Sequence, residues 1–275
     1  MSIKPASEMD SKTILLDVGG TFIKCSDGRE IPIDSAGPRE SIIASLRQAV
    51  DGYDAAVVAI PGPFRYSDGT FLMKHKFASV YGEKFQDLVC HSERQRRISC
   101  RFIHDVNAML LGELGKCRED GYKRVALATL GTGLGFSVSV DGVIRTGELG
   151  SPKDGIWDCP YKDGILEDYV SKRGFLRGYT GITVKDLAGM ARGGDAAAAA
   201  RFRECGTILG TAIAPVLEKL GVECLLLGGQ ISRSFDLFGG ALKESLAGVR
   251  SLKCIRPVSD ISNATFNGLR SLCTN

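Results

Sequence analysis

Residues 15–28 read LLDVGGTFIKCSDG. An apolar run ends on an acid, Asp17, crosses Gly19-Gly20-Thr21, and resumes as a second apolar run closed by Ser-Asp-Gly. The pattern predicts a strand, a turn almost without side chains, and a second strand. Such a turn lets backbone N–H groups face a phosphate, because no Cβ stands in the way. Asp17 would repel that phosphate, but it can hold a hydrated Mg²⁺ that bridges to phosphate oxygens. Taken alone, the stretch reads equally well as a plain hairpin with Gly-Gly in its turn.

Working outward, residues 12–17, 22–26 and 30–34 read as an antiparallel meander. Ile42, Ile43, Leu46, Ala49 and Val50 then recur at helical spacing. DAAVVAI (54–60) reads as a buried strand closed by Pro61-Gly62-Pro63, and 85–93 as a helix. ISCRFIHD (98–105) is a strand that ends on an acid, Asp105, and runs directly into the helical VNAMLLGELGKC (106–117). The second half repeats the opening. RVALATLGTGLGFSVSVDGVI (124–144) is again strand, Gly/Thr turn, strand, Asp-Gly turn, strand. Two meanders of one layout predict two domains of like topology. Residues 162–179 read as a helix, and 195–221 as a long one that Pro215 kinks or breaks. VECLLLGGQISRS (222–234) reads as a buried strand, Gly228-Gly229 and a helix start. A strand near 254–257 and a helix over 264–272 close the chain.

Gly131, Thr132, Gly133 and Gly135 give a second turn of the first kind, at the same place in the second meander. Two phosphate cradles facing each other across a cleft would clamp a nucleoside triphosphate. Gly228 and Gly229 offer a third close approach, suited to a base or ribose, or to helix–strand packing alone. Asp105 can accept a proton from a hydroxyl attacking a γ-phosphate; it can also simply cap the helix that follows.

Composition bounds the rest. The chain has 275 residues, 44% hydrophobic and 24% charged, enough for one large or two medium domains with a real core. A net charge of +3 is too weak to argue for nucleic acid or a membrane as partner. The dense basic run at 94–97 reads as a solvated helix end. No apolar run reaches membrane-spanning length, and the first twelve residues lack the apolar core of a secretory signal. The nine cysteines are scattered singly, with no CxxC pair, and fit reduced, buried thiols in a cytoplasmic protein.

The sequence resembles a known group at this point. DVGGT (17–21), LGTGLG (130–135) and LGG (227–229) look like the phosphate-1, phosphate-2 and adenosine motifs of the actin/Hsp70/sugar-kinase superfamily. Within it, IPGPF (60–64), HDVNAMLLGE (104–113), GELG (147–150) and ILEDYVS (165–171), in that order, look like the ROK family of sugar kinases and repressors. The resemblance spans about residues 12–270. It implies a two-lobed α/β, actin-like ATPase fold with duplicated ribonuclease-H-like domains. The lobes would be 1–106, joined by the C-terminal helix of 258–275, and 107–257. It implies an ATP-dependent hexose or N-acetylhexosamine kinase, the 6-OH being the expected acceptor, with sugar and Mg-ATP in the cleft and Asp105 as general base. Asp17, Gly19, Gly20, Thr21, Lys24, the 131–135 turn and Gly228-Gly229 would serve the nucleotide, with Asp17 reaching Mg²⁺ through water. Asn107, Glu148 and Glu167 would lie near the sugar hydroxyls. Glu148 also reads as an exposed hairpin residue, and Glu167 as a surface helix residue. A homodimer is implied by the resemblance alone.

Departures from the family pattern carry as much weight. Ser151 stands where many ROK proteins carry a histidine, and Cys159 is alone where they carry a zinc-binding cysteine cluster. One thiol builds no tetrahedral site, so no zinc is expected. His104 stands where an asparagine often precedes the catalytic aspartate; it contacts sugar or packs beside its strand. With His104 and Ser151 in place, the sugar cannot be copied from glucokinases. The first strand, starting near residue 12, leaves no room for a helix-turn-helix, against a repressor. Polyphosphate as donor, or a non-catalytic sensor of the same fold, stays open. An iron–sulfur ATPase activator would need suitably placed cysteines, and none are visible.

Overall fold

The computed structural model describes residues 12–90 and 98–273. The basic run at 94–97 and the end of the expected 85–93 helix lie outside them. The chain divides into two compact units: Met1–Gly112 with Thr146–Ser151 and Thr265–Asn275, and Glu113–Arg145 with Pro152–Ala264.

In the first unit, β1 (Thr13–Val18), β2 (Phe22–Cys25) and β3 (Glu30–Pro32) form the meander. Then follow α1 (Arg39–Val50), β4 (Ala55–Ile60), the short hairpin β5 (Phe64–Arg65) and β6 (Thr70–Phe71), α2 (Phe85–Val89), β7 (Ser99–His104) and α3 (Asp105–Glu119). The sheet order is β3-β2-β1-β4-β7, with β1, β4 and β7 parallel. Alternation along β1 sorts its two faces. Ile14, Leu16 and Val18 pack with Ile42 and Leu46 of α1 and with a cluster of phenylalanines that includes Phe64, Phe71 and Phe85. Leu15 faces the other way, where Ala108 of α3 meets Phe266 and Leu269. Asp17, two residues on from Leu15, falls on that second face.

In the second unit, β8 (Arg124–Leu130), β9 (Leu134–Val140) and β10 (Val143–Ile144) repeat the meander. The hairpin β11 (Pro160–Tyr161) and β12 (Gly164–Ile165) precedes α4 (Glu167–Val170) and α5 (Lys172–Phe175). Next come α6 (Val184–Arg192), α7 (Ala196–Leu220), β13 (Cys224–Gly228), α8 (Phe235–Ser245) and β14 (Cys254–Pro257); α9 (Ala264–Cys273) ends the described chain. The order β10-β9-β8-β13-β14 reproduces that of the first sheet, again with an antiparallel meander followed by parallel strands. The fold is thus two ribonuclease-H-like sheets in one chain, the actin-like ATPase arrangement.

One local reading changes, and one open alternative is decided. The expected single helix over 162–179 is a hairpin followed by two short helices. Ser171 ends the first in extended backbone and caps the second by accepting from Arg173 N. Pro215 does not end its helix, because α7 runs on to Leu220 and is closed by Gly221 in the left-handed region, at φ 61°. Asp195 caps the start of α7 by accepting from Ala198 N at 2.9 Å. Among the described residues no helix is long and apolar enough to cross a membrane.

Helix α9 completes the first unit by lying against α3 so closely that a Cβ on Gly268 would collide with the Ala108 carbonyl. Gly268→Ala is therefore expected to cost about 1–3 kcal/mol through forced separation of the two helices. Gly240→Ala, exposed on α8 with nothing within 4 Å of the new methyl, should gain about 0.5–1 kcal/mol from helix propensity. Urea unfolding of both variants checks the pair; equal midpoints would refute the packing argument.

Candidate active site

The first unit carries two carboxylates at the ends of its parallel strands. Asp17 lies near the end of β1, opposite Lys24 across the hairpin and Ala59 on β4. Asp105 follows β7 directly and opens α3. Burial pushes Asp17 up to about 6; the negative charge of Asp105 adds to this and Lys24 opposes it. Asp105 goes the other way. Burial would raise it, but His104, the Val106 N–H and Lys76 together outweigh burial and hold it below the usual carboxylate range. His104 Nδ1 lies 2.8 Å from Asp105 Oδ1, and Val106 N donates to the same oxygen at 2.7 Å. Asp105 Oδ2 makes no hydrogen bond among the described residues.

The Gly19–Gly20 turn is held from both sides. Gly19 N donates to Phe22 O at 2.9 Å, Ser35 N donates to Gly20 O at 3.1 Å, and Ile33 N donates to Thr21 O at 2.9 Å. A Cβ on Gly20 would sit 3.2 Å from Ser35 Oγ and 3.9 Å from Lys76 Cε. Lys76 thus lies beside the turn and within electrostatic reach of Asp105. Thr21 and Lys24 are exposed.

Thr146–Ser151 belongs to this unit although its chain neighbours belong to the other. Asn107 is buried on α3 and its Nδ2 donates to Gly150 O at 3.2 Å; Tyr66 N donates to Leu149 O at 3.1 Å. The Tyr66 hydroxyl donates to Ile60 O at 2.9 Å and lies beside Ser151, and burial pushes it above its ordinary range. His104, Tyr66 and Ser151 converge on Gly62, where a Cβ would lie 3.5 Å from the His104 ring and 3.2 Å from Ser151 Oγ. His104, Asp105, Asn107 and Ser151 are therefore brought together. Glu148 lies on the same segment and is exposed.

In the second unit the Gly131–Gly135 turn meets the turn after β13. Gly229, at φ 79°, presses on the Leu130 backbone so closely that any Cβ would clash. Gly131 N donates to Gly133 O at 3.1 Å, and Lys172 N donates to Gly131 O at 2.8 Å. Thr132 is left exposed. Glu167 is found here. Its Oε2 accepts from Leu134 N at 2.9 Å, and its Oε1 pairs with Arg173 at 2.9 Å. Both oxygens of Glu167 thus serve the glycine turn and the start of α5. Arg173 also pairs with Asp168 at 2.9 Å.

Sequence reasoning missed Lys76, Tyr66 and Arg173. Lys76 sits in the unremarkable run KHK, and Tyr66 follows the short GPF turn. Neither carries a motif, and only the tertiary packing reveals them.

The raised Asp17 gives a signed expectation. Between pH 4 and 6 the unfolded chain loses this proton before the folded one does. Asp17 therefore lowers stability as pH rises through that window, by at most about 3 kcal/mol, and the cost is constant above it. In metal-free buffer Asp17→Asn should match the parent near pH 4 and exceed it at pH 7. A gap that does not grow across the window, measured by denaturant titration, would refute the burial argument.

The sequence model of the ROK family matches residues 38–270. A glucokinase of Halalkalibacterium halodurans is 27% identical over 276 residues, covering 83% of each chain. A glucokinase of Thermotoga maritima is 27% identical over 281 residues, covering 86% of this chain and 87% of its own. Among solved structures, the ROK family glucokinase of Streptomyces griseus in complex with glucose and AMPPNP superposes with TM-score 0.74 at 22% identity, over 95% of this chain and 98% of that one. Its likeness is one of fold. The family match covers the greater part of the chain, from α1 to α9, and with the duplicated sheets it establishes that this protein belongs to the ROK family.

Proposed function

We propose that this protein is a sugar kinase that moves the γ-phosphoryl of ATP to a hexose or N-acetylhexosamine hydroxyl, most simply the 6-OH. The observation that carries the reading is Asp105: a carboxylate at a strand end, fixed on one oxygen by His104 Nδ1 and Val106 N and open on the other. A held carboxylate of this kind can take the hydroxyl proton as the phosphoryl group transfers. Its low basicity is no obstacle, because the alcohol becomes acidic only as its bond to phosphorus forms. Asn107 and Ser151 lie beside it, the first fixed by Gly150 and the second next to Tyr66, and suit the remaining hydroxyls. Glu148 on the same segment is a further acceptor for them.

On the donor side, the Gly19–Thr21 turn presents backbone N–H groups and Lys76 supplies positive charge near them. The Gly131–Gly135 turn and Gly228-Gly229 serve the remainder of the nucleotide, with Glu167 holding the first of these turns in shape. Asp17, buried beside a second carboxylate and opposed only weakly by Lys24, fits a hydrated divalent cation, which would relieve its raised pKa. When bound, Mg²⁺ would neutralise phosphate charge; Asp17 would hold it through water. Catalysis then rests on positioning and charge more than on covalent chemistry.

The test is phosphoryl transfer to a panel of hexoses and N-acetylhexosamines, with Mg-ATP and with polyphosphate, for the parent and Asp105→Asn. Turnover should fall by about 10²–10⁴-fold in the variant, while the nucleotide-induced rise in melting temperature persists. Undiminished turnover would remove Asp105 from the mechanism. Nucleotide or sugar binding without turnover on any pair would point to a sensor of the same fold.

A further inference from the structure

A second chemical cluster lies in the second unit, away from the glycine turns. Cys224 and Cys254 are register partners on the parallel strands β13 and β14, so their side chains leave the sheet on one face. Leu225 and Leu227 point into the core beneath α7 and α8, which puts Cys224 on the opposite face. There Arg256 Nη2 approaches Cys117 Sγ of α3 at 3.7 Å. Arg256 also pairs with Glu113 at 3.5 Å and Asp120 at 3.4 Å. Cys117, Cys254 and Tyr122 all lie within electrostatic reach of the Cys224 thiol. Three thiols are thus gathered on one side of the sheet, with a guanidinium beside the innermost. Cys117 and Cys224 are buried, whereas Cys254 is only half-buried.

The chemistry is divided among them. The neighbouring Cys224 draws Cys117 below the ordinary thiol range; burial opposes this and Arg256 assists it. Cys117 and burial raise Cys224. With the Arg256 guanidinium 3.7 Å from its sulfur, Cys117 is the thiol of the trio placed to carry negative charge and so to receive the Cys224 proton. Neighbouring strands stand about 4.8 Å apart, within the Cα separation that a disulfide spans.

We propose that Cys254, Cys224 and Cys117 form an oxidation site: a hydroperoxide is reduced at Cys254, and Cys224 closes a Cys224–Cys254 disulfide while Cys117 takes its proton. In the first step the Cys254 sulfur attacks the peroxide, the O–O bond breaks, and Cys254 becomes a sulfenic acid as water or an alcohol leaves. In the second, the Cys224 proton passes to Cys117 and the Cys224 sulfur attacks Cys254. The S–O bond breaks, and the departing hydroxide takes the proton from Cys117 and leaves as water. Two thiols lose two electrons and the peroxide gains them.

Cys159 supplies an internal control, since it is exposed and stands outside the cluster. The protein would be treated with about one equivalent of hydrogen peroxide, capped with N-ethylmaleimide in denaturant so that buried thiols react, digested with trypsin and mapped by mass spectrometry. The expected product is a disulfide joining the peptides 220–233 and 254–270, formed before Cys159 is modified. Cys254→Ser, altered at the accessible position, should leave Cys224 fully alkylated. Cys117→Ala should keep the same linked pair but slow its formation by about tenfold or more. Oxidation confined to Cys159, or a Cys117–Cys224 bond in the parent, would overturn the assignment. A Cys254→Ser variant that still loses the Cys224 thiol at the parent rate would do the same.

Discussion

The burial of two carboxylates, Asp17 and Asp105, at the ends of parallel strands is the constraint that governs this edge of the first unit. Parallel strands deliver both carboxylates to one edge of a sheet, where burial weakens the screening between them. The protein meets the two demands differently. Asp105 receives an imidazole, a backbone N–H and the field of Lys76, and stays ionised easily. Asp17 receives only the exposed Lys24 across its hairpin, and remains a reluctant anion. One carboxylate is thereby finished as a fixed group, and the other is left short of positive charge. That asymmetry is what the proposed roles of base and cation holder rest on, and it arises from neighbours, not from residue type.

The second unit is built on a different currency, close approach of backbone to backbone. Gly229 lies on Leu130, and Gly133 leaves space for the Glu167 carboxylate, whose Oε2 would sit 2.7 Å from an added Cβ. Side chains are excluded so that main-chain groups can be placed, and one carboxylate then locks the result through Leu134 N. Glu167 is on this account a strut of the glycine turn. Its other oxygen is held by Arg173, so any hydroxyl reaching it would have to share or displace that pair.

Much of this was legible in the sequence because it is periodic or glycine-bound. The repeated meander announced the duplicated sheets, since strand alternation and Gly/Thr turns are local signals. Asp105 could be singled out because a strand meeting a helix at an acid is also local. The hairpin at 160–165 was hidden, since KDGILEDYVSKRG carries helix-like apolar spacing and its turn is set by packing. Pro215 left two readings open, a kink or a break, and the break is ruled out by a helix that runs on through it and is buried along much of its length. The Lys76 charge, the Tyr66 hydroxyl and the thiol trio are products of long-range contact, and no spacing rule reaches them. Cys117, Cys224 and Cys254 read as scattered singles until the sheet register and α3 brought them together.

The first unit is assembled from three separate stretches of chain, one of them the helix α9. Leu15, Val57, Ala59 and Ala108 have their apolar partners in Phe266 and Leu269. On a ribosome, those partners emerge only after the whole of the second unit has been made. The β1–β4 face would wait through that interval with α3 but not α9 upon it, while the second unit already holds its own core. The unit that begins first in synthesis is thus the one that finishes last, and a chaperone that shields apolar sheet surface would find its natural client in the nascent form of this protein.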